Sequence, residues 1–256
     1  MEARWQQMNL RTKLFFGILI LILLTTIGIN LAKKKGDTLP PNEVPAAKLE
    51  ETTQEISITK KNITEENFSG SIPVITGNGV LANATRAYID TALSDFRKSA
   101  NKEVPAMREQ FGADSPTANY TFDMDATYIE GPTYASIVLS GFVYTGGANG
   151  NSFYKVFTAS LSGDRVLALQ DVIKVERQAD FAGLVKSELL AWRPPESNGS
   201  VVFEDVVDDL TFDSFHDWSL DSKNLTLYFD KYEIGPGVLG SVAFPLPFTK
   251  VKDYVK

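Results

Sequence analysis

Nineteen uncharged residues, Leu14 to Ala32, stand between two short basic stretches near the N-terminus. At about 1.5 Å per residue a helix of this length spans roughly 28 Å, close to the apolar thickness of a bilayer. A cleaved signal peptide is the alternative, but Asn30 is a poor residue three positions before a cut after Ala32. We therefore predict an uncleaved transmembrane anchor at 14–32, after a tail at 1–13.

The orientation of this anchor is not decided by its flanking charges, since three basic residues precede it and three follow it. A long C-terminal body can cross the membrane largely regardless of its charge. We predict a single-pass protein of the plasma membrane that contacts the lipid bilayer through residues 14–32. Its N-terminal tail is cytoplasmic and its body is extracytoplasmic.

The formal charge of −7 is unevenly divided along the chain. Six basic residues and one acidic residue give residues 1–35 a charge of +5, while 19 basic and 31 acidic residues give the remainder −12. An acidic body repels nucleic acid, so we predict no nucleic-acid partner and expect any charged partner to be cationic. An acidic surface also keeps proteins soluble without any partner.

The chain has no cysteine and a single histidine, His216. This excludes disulfides, thiolate metal sites, cysteine nucleophiles and metal centres built on several histidines. A Ser-His-Asp triad would have to pass through His216. We predict no catalytic residues, no metal site and no cofactor.

Hydrophobic periodicity in the body indicates both strands and helices. Tyr120–Ile129 alternates apolar and polar residues like a half-buried strand, and the apolar positions of Asp180–Trp192 recur at helical spacing. Further strands are predicted at 54–60, 71–76, 134–144, 153–161, 215–220, 225–230 and 241–246, and further helices at 81–100 and 248–255. The pattern predicts an α+β fold, mainly an antiparallel sheet with two principal helices packed on it, preceded by the transmembrane helix.

Boundary signals divide the chain further. Residues 33–53 contain three prolines and few large apolar side chains, which is typical of a linker. The body then divides into an N-terminal half at 54–150 and a C-terminal half at 151–256. Asn83 is a candidate cap for the helix at 81–100, and Pro105 follows just beyond that helix.

A glycine-rich turn, Thr145–Asn151, separates two predicted strands. It lacks the Gly-Lys-Ser/Thr ending of a phosphate loop, and glycine and asparagine are the residues that positive φ angles require in a hairpin. A structural hairpin and a binding loop both remain open, because loops held by a rigid sheet often carry recognition. Tyr144 and Tyr154 flank the turn and could present contacts there.

Acidic residues suggest two further kinds of site, a catalytic pair of acids and a calcium site, both less strongly indicated. Asp123 and Asp125 share one face of a strand, but alternation places them on the solvated face. Glu204–Asp221 contains seven acids and no base, yet it lacks the ordered Asp-x-Asp-x-Asp-Gly calcium loop. We interpret both as solvated surface and His216 as a structural residue.

Two stretches go beyond generic patterns. One is Tyr144-Thr-Gly-Gly-Ala-Asn-Gly-Asn151, and the other is Leu225-Thr-Leu-Tyr-Phe-Asp-Lys-Tyr-Glu-Ile-Gly-Pro-Gly-Val-Leu-Gly240. Their order and spacing resemble the extracellular domain shared by RsiV-type anti-sigma factors and PdaC-type peptidoglycan deacetylases, over roughly residues 54–255. The chain departs from that family at Asn149, where a histidine commonly follows Gly-Gly-Ala.

The resemblance implies an envelope-facing α+β module that recognises lysozyme in the anti-sigma proteins and accompanies a separate catalytic domain in the deacetylases. The 13-residue tail is too short to bind a sigma factor, and no catalytic domain follows the module, so we expect neither of those activities. Seven residues of the two stretches are the predicted ligand-binding set: Tyr144, Gly146, Gly147, Asn149, Asn151, Tyr154 and Tyr232.

Three functional hypotheses follow. The first is a non-enzymatic, membrane-anchored binding or sensing module of the bacterial cell envelope, whose ligand is a cationic protein such as lysozyme or cell-wall glycan. The second is a carboxylate-based envelope glycan hydrolase, which would need two acids in a cleft and a raised pKa on one of them. The third is an assembly partner of another membrane protein.

Overall fold

The computed structural model describes residues 56–112, 115, 118–194 and 201–256. The predicted tail, anchor and linker therefore lie outside the described residues. Within the described ranges, no helix is both long enough and apolar enough to cross a membrane. The body is a mixed α+β structure in which most strand pairs are antiparallel, as the sequence predicts.

A five-stranded sheet forms the first half of the body, with its strands in chain order. Its strands are β1 (Ser57–Thr64), β2 (Phe68–Thr76), β3 (Tyr120–Glu130), β4 (Tyr134–Tyr144) and β5 (Asn151–Ser160). All neighbours are antiparallel except β2 and β3, which pair in parallel over four residues. The parallel pair requires a crossover, and the long helix α1 (Val80–Phe111) provides it.

Helix α1 packs on this sheet through buried residues that include Ile89, Phe96 and Val104. The prediction that the helix ends before Pro105 was wrong. Pro105 lies on the exposed side of the helix, where water can bind the carbonyl that its missing N–H leaves free, while Val104 stays in the core. The prediction that Asn83 caps the helix was also wrong, because Gly79 occupies the cap position and Asn83 lies in the first turn.

A second, three-stranded antiparallel sheet consists of β6 (Asp217–Leu220), β7 (Asn224–Phe229) and β8 (Val242–Pro247). The Asp221 carboxylate accepts the backbone N–H groups of Lys223 and Asn224 at 2.6 and 2.8 Å and so forms the tight turn of the predicted hairpin. The remaining helices are α2 (Leu169–Val172), α3 (Gln178–Ala191), α4 (Glu204–Asp209) and α5 (Phe248–Val251). The predicted apolar stripe of α3 is confirmed, since Phe181, Val185 and Leu189 are fully buried.

The two sheets meet along β5. Thr158 on β5 donates its hydroxyl to the carbonyl of Trp218 on β6 at 2.7 Å, and the Trp218 ring packs edge-on against Tyr134 of β4. The boundary drawn between the two predicted halves, after residue 150, lies where β5 of the first sheet begins.

Candidate functional site

Two loops predicted separately from the sequence lie side by side. Lys231 donates its backbone N–H to the carbonyl of Ser152 at 3.1 Å and its ammonium group to the carbonyl of Gly150 at 2.6 Å. Ser241 donates its N–H to the Ser152 hydroxyl at 2.9 Å. Residues 145–152 and 230–241 thus form one continuous surface, named here the loop surface.

The glycine-rich turn is shaped by its own residues. Gly146 has a φ of 74°, the left-handed conformation that the sequence predicts there. The Tyr144 hydroxyl donates to the Gly147 carbonyl at 2.9 Å and accepts the Gly147 N–H at 3.3 Å, so Tyr144 closes the turn. Asn149 is exposed at the tip, whereas Asn151 is half-buried where β5 begins. Of these residues, Asn149 is the one most available to a ligand.

We expect Gly146→Val to lower the melting temperature by about 2–6 °C, because a β-branched residue at this φ adds roughly 1–2 kcal/mol of strain. Calorimetry of the full chain measures the shift. Ala148→Val is the matched control, since Ala148 is an exposed residue of the same turn with an ordinary φ. Equal melting temperatures for the two variants would contradict the strained-turn interpretation.

Tyr232 holds an unusual backbone conformation. Its φ of 72° is the only positive value at a non-glycine residue in the part of the chain that the structure describes. Such a conformation costs about 1–3 kcal/mol at a bulky residue and is found most often at functional sites. The side chain is 58% exposed, with the Lys231 ammonium 5.0 Å from its ring centroid. The ring lies directly over Gly237, where any side chain would overlap it.

Tyr154, predicted to flank the turn, lies in β5 just after it. Its ring packs edge-on against Tyr228, 5.1 Å between centroids, in the junction between the two sheets. Its backbone N–H donates to Asp230 at 2.8 Å. Tyr154 therefore supports the loop surface from beneath.

Three acidic side chains gather in this junction: Asp217, Asp230 and Glu233. Asp217 accepts the Val156 N–H at 2.6 Å and the Lys155 ammonium at 3.0 Å. Glu233 accepts the backbone N–H of Asp230 at 2.6 Å. These three residues form the carboxylate cluster, and each of them accepts a backbone donor.

Burial makes the charged forms of two members of the cluster, Asp230 and Glu233, unfavourable. Burial, aided by the charges of Asp230 and Asp217, raises the pKa of Glu233 to about 7. Burial also raises the pKa of Asp230, against the backbone N–H of Tyr154, which lowers it. The pKa of the neighbouring Tyr88 hydroxyl on α1 is raised by burial and by the charges of Asp217 and Asp230.

Sequence reasoning missed this cluster. Asp217 was assigned to a solvated acidic run, and Asp230 and Glu233, although they lie in the second stretch, were not predicted as individual site residues. A signal was available in β7, where Leu225, Leu227 and Phe229 are buried on one face. The opposite face must then carry Tyr228 and Asp230, but only the tertiary structure shows that it faces β5 rather than water.

The other acidic candidates are surface residues. Asp125 pairs with Lys60 at 2.6 Å with both side chains more than half exposed, and Asp123 accepts the Ser71 hydroxyl at 2.8 Å. His216 is exposed beside β6 rather than packed in the core, which corrects its interpretation as a structural residue. Within the described ranges, no group of three His, Cys, Asp or Glu side chains is arranged to hold a metal ion.

Each of the two loops of this surface lies in a region that matches a known protein family. Residues 58–152 match the family described as deacetylase PdaC, and residues 170–249 match a protein family of unknown function, DUF3298. The body is therefore similar in sequence to a domain of PdaC and to the DUF3298 family. The first loop of the loop surface lies in the region similar to PdaC, and the second loop lies in the region similar to DUF3298.

A curated protein is similar to the body in sequence, and a solved structure is similar to it in fold. The peptidoglycan-N-acetylmuramic acid deacetylase PdaC of Bacillus subtilis is 23% identical over 197 residues, which is 74% of this chain and 39% of the relative. The chain thus spans about two fifths of that relative's length. A DUF3298 family structure from Bacteroides fragilis has a TM-score of 0.55 at 15% identity, covering 79% of this chain and 94% of its own. This likeness shows that the fold is shared.

A second DUF3298 family structure, from Pseudomonas aeruginosa, has a TM-score of 0.44 at 18% identity, with the same shares of each chain covered.

Proposed function

We propose that the chain is a non-enzymatic, membrane-anchored binding or sensing module of the bacterial cell envelope, with its body on the extracytoplasmic side. The loop surface is the ligand site. The observation that carries this proposal is Tyr232, an exposed aromatic residue with a strained backbone conformation, next to Lys231, which joins its loop to Gly150. An exposed tyrosine on a surface that also carries the exposed amide of Asn149 is typical of a recognition surface.

Two ligand classes fit this surface. Cell-wall glycan fits because tyrosine rings and asparagine amides can bind sugar rings and hydroxyl groups, and the relative PdaC is named for its action on peptidoglycan. A cationic protein such as lysozyme fits because the chain after residue 35 carries a formal charge of −12. Both classes occur at the envelope, and one binding experiment separates them.

A second candidate, a carboxylate-based glycan hydrolase, is favoured by the raised pKa of Glu233 and Asp230. A structural role also accounts for both residues, because each carboxylate accepts a backbone N–H that would otherwise lack a partner. Release of soluble fragments from peptidoglycan by the wild-type chain, abolished by Glu233→Gln, would establish the hydrolase and exclude the binding module.

We expect Asn149→Ala and Tyr232→Ala to weaken capture of the ligand at least about tenfold, since central amide and aromatic contacts dominate such interfaces. The full chain in detergent is tested separately against lysozyme and against purified peptidoglycan. Asn62→Ala, which changes an exposed asparagine on β1, is the matched control. Wild-type binding that both loop variants retain would exclude the loop surface, and failure of the wild type to bind either probe would exclude both ligand classes.

We expect the protein to stay in the membrane fraction through high-salt and alkaline washing, because residues 14–32 are uncharged and long enough to span a bilayer. Protease added outside the cytoplasmic membrane should cut the linker at 36–53 and release the body. Secretion of a mature protein that begins at Lys33 would instead establish the signal-peptide alternative.

A further inference from the structure

The turn that carries Tyr232 is held by two acidic side chains of its own. Glu233 donates its N–H to the Asp230 carbonyl at 3.0 Å, while its carboxylate accepts the Asp230 N–H at 2.6 Å. The Asp230 carboxylate accepts the Tyr154 N–H at 2.8 Å and attaches the turn to β5. These two carboxylates therefore determine both the shape of the turn and its position.

The surroundings of the turn disfavour full ionisation. The groups that face it are Asp217 from β6, Lys155 from β5, Tyr88 from α1 and Tyr228 from β7. The ammonium group of Lys155 pairs with Asp217 at 3.0 Å, whereas that of Lys231 is bound to the Gly150 carbonyl.

Three carboxylates thus lie near a single paired ammonium group in a half-buried junction. Protonation of one carboxyl relieves their mutual repulsion without removing the acceptors that hold the turn.

We propose that Asp230 and Glu233 form a proton-dependent latch, which holds Tyr232 on the loop surface when one carboxyl is protonated and releases it when the whole cluster is ionised. The latch is a property of the free protein. It goes beyond the proposed function, because it does not depend on which ligand the surface binds.

Linkage between proton binding by Glu233 and opening of the turn gives the direction of the pH effect. Glu233 has a pKa of about 7 in the closed turn, and its ordinary value is 4.5 once the turn opens to water. The closed form therefore binds the proton more tightly, and the opening equilibrium increases as pH rises from about 4.5 to 7. The expected increase is on the order of 100-fold, since each pKa unit is a factor of ten.

Hydrogen exchange of the full chain in detergent micelles, without ligand, tests the latch. Between pH 5 and pH 8, after correction for intrinsic exchange rates, the amides of Tyr154, Asp230 and Lys231 should open about 100-fold more often. Amides of β3 and β4, which exchange through unfolding of the whole body, should remain far better protected than the turn amides at every pH. Equal protection of the turn and of those strands would show global unfolding and overturn the latch, as would turn amides that do not respond to pH.

Matched variants test whether the pH dependence of opening comes from the carboxyl group of Glu233. Glu233→Gln keeps the side-chain acceptor but cannot ionise, so the turn amides should lose their pH dependence. Glu204→Gln, on the exposed helix α4, should leave that dependence unchanged. Asp217→Asn removes a charge that raises the pKa of Glu233 in the closed turn, so it should make the increase in opening with pH smaller. This variant provides a second test if Glu233→Gln does not fold. A Glu233→Gln chain that retains the wild-type response would overturn the proposal.

Discussion

The free energy of unfolding should fall by about 3 kcal/mol as the pH rises from 5 to 8, because Glu233 has a pKa of about 7 in the folded protein against 4.5 when unfolded. The raised pKa means that the folded state holds the proton more tightly. Its stability is therefore fully present below the unfolded pKa and is lost as pH rises through the folded one. The pKa of Asp230 is raised in the same direction. Chemical denaturation of the full chain in detergent at a series of pH values measures the effect.

Two other acids reduce the stability of the folded protein at low pH. The Arg165 guanidinium lowers the pKa of Asp171, and that of Arg97 lowers the pKa of Glu65. Their contributions are lost as pH falls through their folded pKa values, so maximum stability is expected in mildly acidic solution. Glu233→Gln should flatten the decline above pH 5, and Glu204→Gln should not. A decline that persists in Glu233→Gln would assign the pH dependence to other groups.

Trp218→Ala should destabilise the protein by about 3–5 kcal/mol, the usual cost of removing a large aromatic side chain from a core. Trp218 is 2% exposed and lies where β6 meets the first sheet, in edge-on contact with Tyr134. The loss should appear as a lower denaturation midpoint for the whole body. Phe111→Ala, at the exposed end of α1, is the control and should change stability by less than about 0.5 kcal/mol. Similar losses in the two variants would contradict a shared junction at Trp218.

Local patterns in the sequence predict most strands and the helix α3, because their burial follows a period that one segment displays by itself. Tyr120, Phe122 and Met124 are buried on alternate positions of β3, as the alternation indicates. The extension of α1 past Pro105 was not predictable in this way. A proline is tolerated inside a helix when it lies on the side of the helix that faces water. The packing of the helix on the sheet decides which side that is, and the local sequence does not show it.

The candidate site was predictable in part for the same reason. Glycine at 146 indicates a positive φ directly, since few other residues tolerate it. The carboxylate cluster depends on contacts between distant segments, such as the bond between Tyr154 and Asp230, which are 76 residues apart. Neither burial nor neighbouring charge can be read from Asp230 alone, so its raised pKa follows only from the folded junction.

The hydrogen bonds that the backbone of β5 makes with the rest of the body affect solubility. Without them, the β5 edge of the five-stranded sheet would present open donors and acceptors on which another chain could add a strand. Side chains and loops occupy that edge instead: carboxylates accept from Tyr154 and Val156, and loop N–H groups donate to Ser152 and Thr158. The junction thereby protects the β5 edge against edge-to-edge aggregation, and variants that remove Asp217 or Asp230 should be prone to form β-rich aggregates even while they remain folded.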